Sequence, residues 1–262
     1  MDFNFQNKTV IVCGSTQGIG KAAAIEFAKN GANLVLVARN EEKLKNTISE
    51  LENNLTQKHS YLCADFSKPE ELKAVLENYI QNGGNCHVLV NNTGGPKGGL
   101  ILEATIEEFK NTFTQHLICN HILVQNLVPL MKKNNYGRII NVISTSVKQP
   151  LPNLGVSNTI RGAVASWSKT LATELAPFNI TVNNVLPGAT NTIRLQGIAE
   201  AKAEKTNETV ADIFKDMAAE SPIGRIAEPE EVANAIVFLA SPAASYINGI
   251  NVPVDGGRTK SL

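Results

Sequence analysis

The chain has 262 residues, and its 24 basic residues balance 24 acidic ones, so the formal net charge is zero. No basic stripe or acidic tail indicates a nucleic-acid partner or a solvating arm. Hydrophobic residues make up 43% of the chain, enough for a large buried core. The first residues lack the features of a secretory signal, and no apolar run is long enough to span a bilayer. These features predict a cytoplasmic protein without nucleic-acid or membrane partners.

The four cysteines give no sign of metal binding. No Cys-x-x-Cys pair or Cys/His cluster with zinc-ligand spacing is present. We interpret the cysteines as reduced thiols in a reducing compartment. They are Cys13, Cys63, Cys86 and Cys119. The sequence therefore predicts no metal site.

Short apolar runs alternate with amphipathic stretches along the whole chain. Continuous Val, Ile and Leu runs indicate strands that are buried on both faces, as in a parallel sheet. The predicted strands cover residues 9–13, 34–37, 59–63, 88–90, 138–142, 180–185 and 251–254. The third is the weakest, and the proline of the last favours a sheet edge.

Amphipathic helices are predicted between these strands, at residues 18–30, 41–54, 69–81, 105–133, 153–176 and 229–240. Repeated strand–helix units predict right-handed crossovers and helices on both faces of the sheet. We therefore predict one α/β domain over residues 1–262, with a doubly wound parallel sheet. A segment at about 190–220 is expected to form a lid over the substrate.

A glycine-rich turn follows the first strand directly and leads into a helix. Its glycines permit close approach of a phosphate to the backbone, and the helix N-terminus favours anions. This strand–turn–helix context predicts a dinucleotide site, although a glycine-rich turn alone could be purely structural. The turn reads Gly14-Ser15-Thr16-Gln17-Gly18-Ile19-Gly20.

Further motifs follow the later strands in chain order. They are Ala64-Asp65-Phe66, Asn91-Asn92-Thr93-Gly94, Pro187-Gly188-Ala189-Thr190-Asn191-Thr192, Pro222-Ile223-Gly224-Arg225 and Pro253-Val254-Asp255-Gly256-Gly257. With the glycine-rich turn, they resemble the short-chain dehydrogenase/reductase family, in particular its 3-oxoacyl-[acyl-carrier-protein] reductase branch. Taken singly, Asp65, Thr93 and Thr192 could each be loop residues that make local turn hydrogen bonds.

The resemblance implies a Rossmann fold, a nicotinamide cofactor and a homodimer or homotetramer formed through the helices at 105–133 and 153–176. It places Asp65 beside the adenine and Thr192 at the nicotinamide amide. The remaining cofactor-binding residues that it implies are Phe66, Asn92, Thr93, Gly94, Pro187, Gly188 and Thr190.

The end of the second strand bears on the choice between NAD and NADP. An acidic residue there would bind the ribose hydroxyls of NAD, and none is present. Arg39 instead offers a planar cation that is suited to the 2′-phosphate of NADP. The alternative is a solvent-facing arginine paired with Glu41 or Glu42. The sequence favours NADP over NAD.

The family's active-site residues are largely replaced in this chain. The resemblance implies a Tyr-x-x-x-Lys motif, a serine and an asparagine. Here Ser157 stands at the Tyr position, Arg161 at the Lys position and His116 at the Asn position, whereas Ser144 retains the serine. The stretch at 171–175 fixes the register of the predicted helix at 153–176, which contains Ser157 and Arg161.

These replacements change the chemistry that is expected of the site. Ser157 is a weaker acid than a phenol and is shorter by a ring. Arg161 can hold the ribose but does not deprotonate near neutrality, or it could form a helix-surface ion pair. His116 titrates near neutrality and could complete a changed proton path, or it could be a satisfied buried histidine. Ser144 could also be a simple strand-end hydroxyl.

Two hypotheses follow from this combination of intact and replaced motifs. The first is an NADP(H)-dependent oxidoreductase that acts on a ketone, 3-oxoacyl compound or secondary alcohol with an atypical proton donor. The second is a non-catalytic NADP-binding protein. A third and weaker reading is a carrier-protein-dependent fatty-acid reductase, with Lys132, Lys133 and Arg138 facing an acidic partner.

Overall fold

The structure is a computed structural model, and it describes residues 3–53 and 56–261. Within this part of the chain, seven strands form one parallel sheet in the order β3-β2-β1-β4-β5-β6-β7. The strands are β1 (Thr9–Cys13), β2 (Asn33–Ala38), β3 (Ser60–Cys63), β4 (Val88–Asn91), β5 (Gly137–Val142), β6 (Ile180–Pro187) and β7 (Asn251–Val254). All seven predicted strands are confirmed, and β7 with its Pro253 lies at the sheet edge.

Helices cover both faces of the sheet, which confirms the predicted doubly wound single domain. In the described residues they are α1 (Gly18–Lys29), α2 (Glu41–Ser49), α3 (Pro69–Gln81), α4 (Ile106–Phe113), α5 (Cys119–Lys133), α6 (Gly155–Leu175), α7 (Ile193–Thr206), α8 (Val210–Ala219) and α9 (Pro229–Ala240). None of these helices is long and apolar enough to cross a membrane.

Two predicted helices differ from the structure. Helix α2 ends at Ser49 because the chain then turns inward to bury Leu51 against the core. The predicted end of this helix at residue 54 lies outside the described residues. The predicted helix at 105–133 is divided by one π-helical turn, Thr114–Ile118, which joins α4 to α5.

The strands contribute alternate side chains to two separate cores. Val10 and Val12 pack with α1 and α9 on one face of the sheet. Ile11 and Cys13 pack with α3, α5 and the end of α6 on the other. Because neither face of these strands meets water, their sequences are continuous apolar runs.

The strand order reverses between β1 and β4, whose registered neighbours include Val12 and Val90. In open parallel sheets, ligands bind in the crevice at the carboxyl ends of the strands where the order reverses. The loops that follow β1, β4, β5 and β6 all begin at this edge of the sheet. These loops contain most of the site residues that the sequence predicts.

Candidate active site

The glycine-rich turn after β1 is packed too closely for larger residues. Gly14 has φ +58°, and a Cβ atom on it would lie 2.5 Å from the carbonyl oxygen of Asn92. A Cβ atom on Gly20 would lie 2.2 Å from the carbonyl oxygen of Gly14. The Asn92 side-chain amide donates to the carbonyl oxygens of Cys13 and Gly14, at 3.3 Å each. Asn92 therefore positions this turn.

The N-terminus of α1 is the part of this turn that suits an anion. Helix α1 begins at Gly18 without an acidic residue in its first turn, and the side chain of Gln17 does not cap it. Its first backbone N–H groups therefore remain available to a phosphate. Thr16 and Ile19 are half-buried, and Gln17 is exposed.

Ser15 has a packing role in the structure, because its side chain is fully buried and its hydroxyl points at the carbonyl oxygen of Val37 at 3.5 Å. Only its backbone is left for a cofactor.

Arg39 and Asp65 stand at the ends of β2 and β3. Arg39 is exposed, and among the described residues it forms no ion pair with a carboxylate. Glu41 instead pairs with Lys45 at 2.9 Å and accepts a hydrogen bond from Tyr61 at 2.7 Å. The ion pair that the sequence left open is therefore not formed, and the Arg39 guanidinium is free to bind an anion.

Asp65 is fixed by its own loop. Its carboxylate accepts from the Ser67 backbone N–H at 2.9 Å, and this bond is the main reason why the pKa of Asp65 lies below its usual value. The charge of Arg39 contributes to the same shift. The next residue, Phe66, is half-buried, and its carbonyl oxygen accepts from the Cys119 thiol at 3.2 Å.

The loop after β6 reaches the glycine-rich turn through Thr192. A Cβ atom on Gly18 would lie 3.0 Å from Cγ2 of Thr192. The Thr192 hydroxyl caps α7 by accepting from the Leu195 backbone N–H at 3.2 Å. Thr190 is buried and donates to the carbonyl oxygen of Gly188 at 3.1 Å, so it shapes the loop. Pro187 and Gly188 are half-buried, and a Cβ atom on Gly188 would lie 2.8 Å from Cα of Asp255.

The two candidate catalytic hydroxyls are both half-buried. Ser144 follows β5, and its oxygen accepts from the Ser146 backbone N–H at 3.1 Å, which orients the side chain. Ser157 lies in the first turn of α6, and its hydroxyl has no hydrogen-bond partner among the described residues. Both hydroxyls are therefore able to donate to a bound molecule.

Arg161 is held at the end of β5 and has no acidic partner. Its Nη1 donates to the carbonyl oxygen of Val142 at 2.7 Å. Within residues 3–53 and 56–261, no carboxylate lies within 4.0 Å of its guanidinium. Burial lowers the pKa of Arg161 to about 10, and the charge of Arg194 adds to the shift. The alternative of a helix-surface ion pair is therefore not realised.

His116 lies on the π-helical turn and is only 4% exposed. Its Nε2 lies 3.1 Å from the carbonyl oxygen of Gly94, and because a carbonyl only accepts, this nitrogen carries the proton. Burial lowers the pKa of His116 to about 3, with a contribution from the charge of Arg161. The imidazole is neutral near pH 7, which favours the satisfied buried histidine over the proton donor.

The structure adds Arg194 to the residues that the sequence singled out for this site. Arg194 lies in the first turn of α7, and its guanidinium donates to the carbonyl oxygen of Pro96 in the loop after β4. There it approaches Arg161 across Gly95. The only signal in the sequence is a cation two residues beyond Thr192. Thr93 is half-buried and Gly94 is exposed, and among the described residues no atom beyond the chain neighbours of Gly94 lies within 4 Å of a Cβ atom built on it.

A row of amides, three buried and one half-buried, crosses four strands of the sheet. We call it the asparagine ladder: Asn91, Asn141, Asn184 and Asn251, in register on β4 to β7. Asn91 donates to Asn141 at 2.8 Å, Asn141 to Asn184 at 2.9 Å, and Asn184 to Asn251 at 2.7 Å. The side chains thus join four neighbouring strands, from β4 to the edge strand β7. The sequence did not predict this ladder.

Known proteins resemble this chain over its whole length. Residues 14–259 match the family model described as enoyl-(acyl carrier protein) reductase. The uncharacterized oxidoreductase YvrD of Bacillus subtilis is 37% identical, and the alignment covers 100% of both chains. The 3-oxoacyl-[acyl-carrier-protein] reductase FabG of Aquifex aeolicus is 31% identical over 98% of this chain and 99% of its own.

The solved structures show the same relationship. L-sorbose reductase from Gluconobacter frateurii, in a complex with NADPH and L-sorbose, superposes with a TM-score of 0.93 at 35% identity, over 100% of both chains. These similarities agree with the motifs that follow β1, β3, β4 and β6. The chain is therefore an oxidoreductase that belongs to the short-chain dehydrogenase/reductase family.

Proposed function

We propose that the protein is an NADPH-dependent reductase of a small carbonyl compound. NADPH, when bound, supplies a hydride to the carbonyl carbon, and a proton must reach the carbonyl oxygen to give the alcohol and NADP⁺. The observation that carries this proposal is the combination of a tightly packed glycine-rich turn with the unpaired Arg39. The NADPH complex of L-sorbose reductase supports the choice of cofactor.

The residues around the crevice divide into those for the cofactor and those for the substrate. The backbone of residues 14–20 would hold the phosphates, and Arg39 the 2′-phosphate. Thr192 would bind the nicotinamide amide, and Arg161 would bind the ribose. The proposed substrate contact is Ser144, whose hydroxyl is oriented by Ser146 so that it can donate to the carbonyl oxygen.

Proton delivery is the altered step in this proposal. Ser157 is too weak an acid to supply the proton, and His116 is neutral and donates to Gly94. We propose that the proton comes from bulk solvent through a water molecule that the free hydroxyl of Ser157 holds, and that this water takes up a solvent proton as it gives one to the carbonyl oxygen, so that no hydroxide remains. Orientation of the carbonyl group against the cofactor then provides much of the rate.

A second candidate, a non-catalytic NADP-binding protein, is favoured by one observation. No side chain at the Tyr, Lys or Asn position is an acid with a pKa near neutrality, since that of Arg161 is about 10 and that of His116 is about 3. Such a protein would bind NADPH without turning it over.

One paired experiment separates the two candidates. NADPH binding is followed by fluorescence, and NADPH oxidation is followed by absorbance with ketones, ketoses, oxo acids and 3-oxoacyl thioesters. Turnover that Ser144→Ala reduces by about 100-fold supports the reductase, because removal of one hydrogen-bond donor to the developing oxyanion costs about that much. Binding without turnover, with turnover gained by the Ser157→Tyr/Arg161→Lys double variant, supports the second candidate. Absence of NADPH binding would contradict both.

We propose further that α7 and α8, within the segment at 190–220, form the substrate lid, and that the protein is a homodimer or homotetramer. The exposed apolar side chains of Ile106, Phe113 and Ile118 along α4 and the π-helical turn support an interface on that side.

A cytoplasmic location is supported by the four cysteines, which are all free thiols in the structure.

A further inference from the structure

Two arginines from different elements converge on one glycine in the crevice. Arg161 comes from α6 and Arg194 from the first turn of α7. A Cβ atom built on Gly95 would lie 3.5 Å from Nη2 of Arg194 and 3.8 Å from Nη2 of Arg161. Since Gly95 carries no side chain, both guanidinium groups face the same small space.

The positive charge of this pair is not neutralised by the chain. No carboxylate among the described residues lies within 4.0 Å of either guanidinium. Each side chain donates to one backbone carbonyl oxygen, Arg161 to Val142 and Arg194 to Pro96. A guanidinium has five N–H donors, so most donors of the pair remain for a ligand. Each also has a lowered pKa through burial, which an anion would reverse.

The pair contacts the loop after β4 and the end of β5, which leads to Ser144. The glycine-rich turn meets the β6 loop at Gly18 and Thr192. The guanidinium groups point instead to the loop after β4, and Arg161 is anchored on Val142, two residues before Ser144. An anion bound here would therefore belong to the molecule whose carbonyl lies at Ser144.

We propose that Arg194, together with the N–H donors of Arg161 that the cofactor ribose leaves free, forms a carboxylate-binding site and that the substrate is an oxo acid, with its carboxylate between the two guanidinium groups and its ketone at Ser144. Arginine suits this role because its planar donors match the two oxygens of a carboxylate. This inference rests on the proposed reductase function. It makes Arg194 the residue that selects the substrate. Arg194 was not among the site residues predicted from the sequence.

The kinetic test compares acids with their neutral counterparts. NADPH oxidation is measured with 2-oxo, 3-oxo and 4-oxo acids and with the methyl ester of each. We expect kcat/KM for the preferred acid to exceed that for its ester by about 100-fold, since hydrogen bonds between charged groups are strong. Arg194→Gln should reduce this ratio at least tenfold, chiefly through KM, and Arg194→Lys should retain part of it.

A matched control uses the same helix. Lys202 is exposed on α7, and Lys202→Gln removes one positive charge from the same helix at a position outside its first turn. This variant should leave the ratio of kcat/KM for the acid to kcat/KM for the ester unchanged. Equal rates for acid and ester in the wild type, or a ratio that Arg194→Gln does not alter, would overturn the oxo-acid proposal and leave the reductase function intact.

A binding measurement gives a readout that does not need turnover. Calorimetry of the NADP⁺-loaded protein is carried out with the hydroxy acids that correspond to the oxo acids, and with their amides. We expect a hydroxy acid to bind at least tenfold more tightly than its amide, and Arg194→Gln to remove the difference. If the hydroxy acid binds more tightly than its amide but no carbonyl compound is reduced, the carboxylate site is supported and the reductase function is contradicted.

The cofactor phosphate is the competing source of the anion. If it occupied this site, Arg194→Gln would weaken NADPH binding at least tenfold, and acids and amides would bind equally to the wild type. That outcome overturns the proposal. We expect instead that the NADPH affinity of Arg194→Gln stays within about threefold of the wild type, because phosphate contacts lie at the glycine-rich turn.

Discussion

Nη1 of Arg161 lies 2.7 Å from the carbonyl oxygen of Val142, so that the guanidinium joins α6 to the end of β5 directly before the Ser144 segment. The position of this cation is set by a neutral acceptor and not by a carboxylate. Burial and the nearby Arg194 lower its pKa to about 10, which means that folding disfavours the charged form. The charge is therefore maintained at a cost in stability, as is common for groups that serve binding.

Replacement of Arg161 by Met should separate binding from stability. The variant loses the hydrogen bond to Val142 but also loses a desolvated charge, so we expect the free energy of unfolding to change by less than about 1 kcal/mol. NADPH affinity should fall about tenfold, which corresponds to ~1.4 kcal/mol, because the proposed contact to the ribose would be lost. Chemical denaturation and fluorescence titration measure the two quantities.

Lys169→Met is the matched control on α6, since Lys169 is exposed and donates to the carbonyl oxygen of Gly249, away from the crevice. Its NADPH affinity should equal that of the wild type. If Arg161→Met binds NADPH as tightly as the wild type, Arg161 has no role in holding the cofactor.

His116 should make folding sensitive to acid. Its pKa is about 3 in the folded protein and about 6.5 in the unfolded chain, so between these values the unfolded chain binds more protons. Its contribution to stability is complete above pH 6.5 and is lost as pH falls towards 3. We expect the free energy of unfolding to fall by up to about 1.4 kcal/mol per pH unit through this residue.

The variant for this measurement is His116→Asn, which keeps a donor on the π-helical turn and removes the titrating group. The free energy of unfolding is measured by denaturation from pH 5 to pH 8, a range of about three units around the ordinary histidine pKa. It should depend less steeply on pH in the variant than in the wild type. Parallel curves for the two proteins would show that His116 is not buried as a neutral imidazole. Over the same pH range, the pH profile of kcat for the wild type should show no inflection that is missing from the profile of His116→Asn.

Arg39 should determine the preference for NADPH. Its guanidinium is exposed and unpaired in the described part of the chain, because Glu41 is engaged by Lys45 and Tyr61. Arg39→Gln should weaken NADPH binding about tenfold and leave NADH binding unchanged, since only NADPH carries the 2′-phosphate. Lys43→Gln, on the exposed side of α2, is the charge-matched control. An equal loss of affinity for both cofactors would contradict this role.

The sequence predicts the sheet well because the period and continuity of apolar residues depend on burial alone. Helix α3 and helix α9 match their predicted limits, and both begin at a proline. The π-helical turn at His116 is not predictable in this way, since it inserts a wide turn into a helix whose apolar pattern is uninterrupted. It also explains why the orientation of His116 could not be inferred from helical spacing.

The site is predictable only where a residue acts through its place in a motif. Asn92 and Thr192 follow strands in recognisable stretches, and the structure puts both beside the glycine-rich turn. Arg194 is different, because its guanidinium reaches the loop after β4 from an element 98 residues further along the chain. Long-range convergence of this kind leaves no local pattern. The asparagine ladder is equally hidden, since each amide interrupts an apolar strand without indicating its partner.

Asn141 should be the residue of the ladder on which stability depends most. It is fully buried, accepts from Asn91, and donates both to Asn184 and to the hydroxyl of Ser168 at 3.2 Å. Asn141→Ala would leave the Asn91 amide and the Asn184 oxygen buried without partners. We expect a loss of about 2–4 kcal/mol in the free energy of unfolding, because each unsatisfied group costs ~1–3 kcal/mol.

Asn251 provides the comparison at the other end of the ladder. It is half-buried on the edge strand β7, so water can replace its contact to Asn184. Asn251→Ala should therefore cost less than about 1 kcal/mol. Urea denaturation with equal m-values measures both losses. Equal destabilisation by the two variants would mean that burial of the partners does not set the cost, and that the amides act as independent strand residues and not as a ladder.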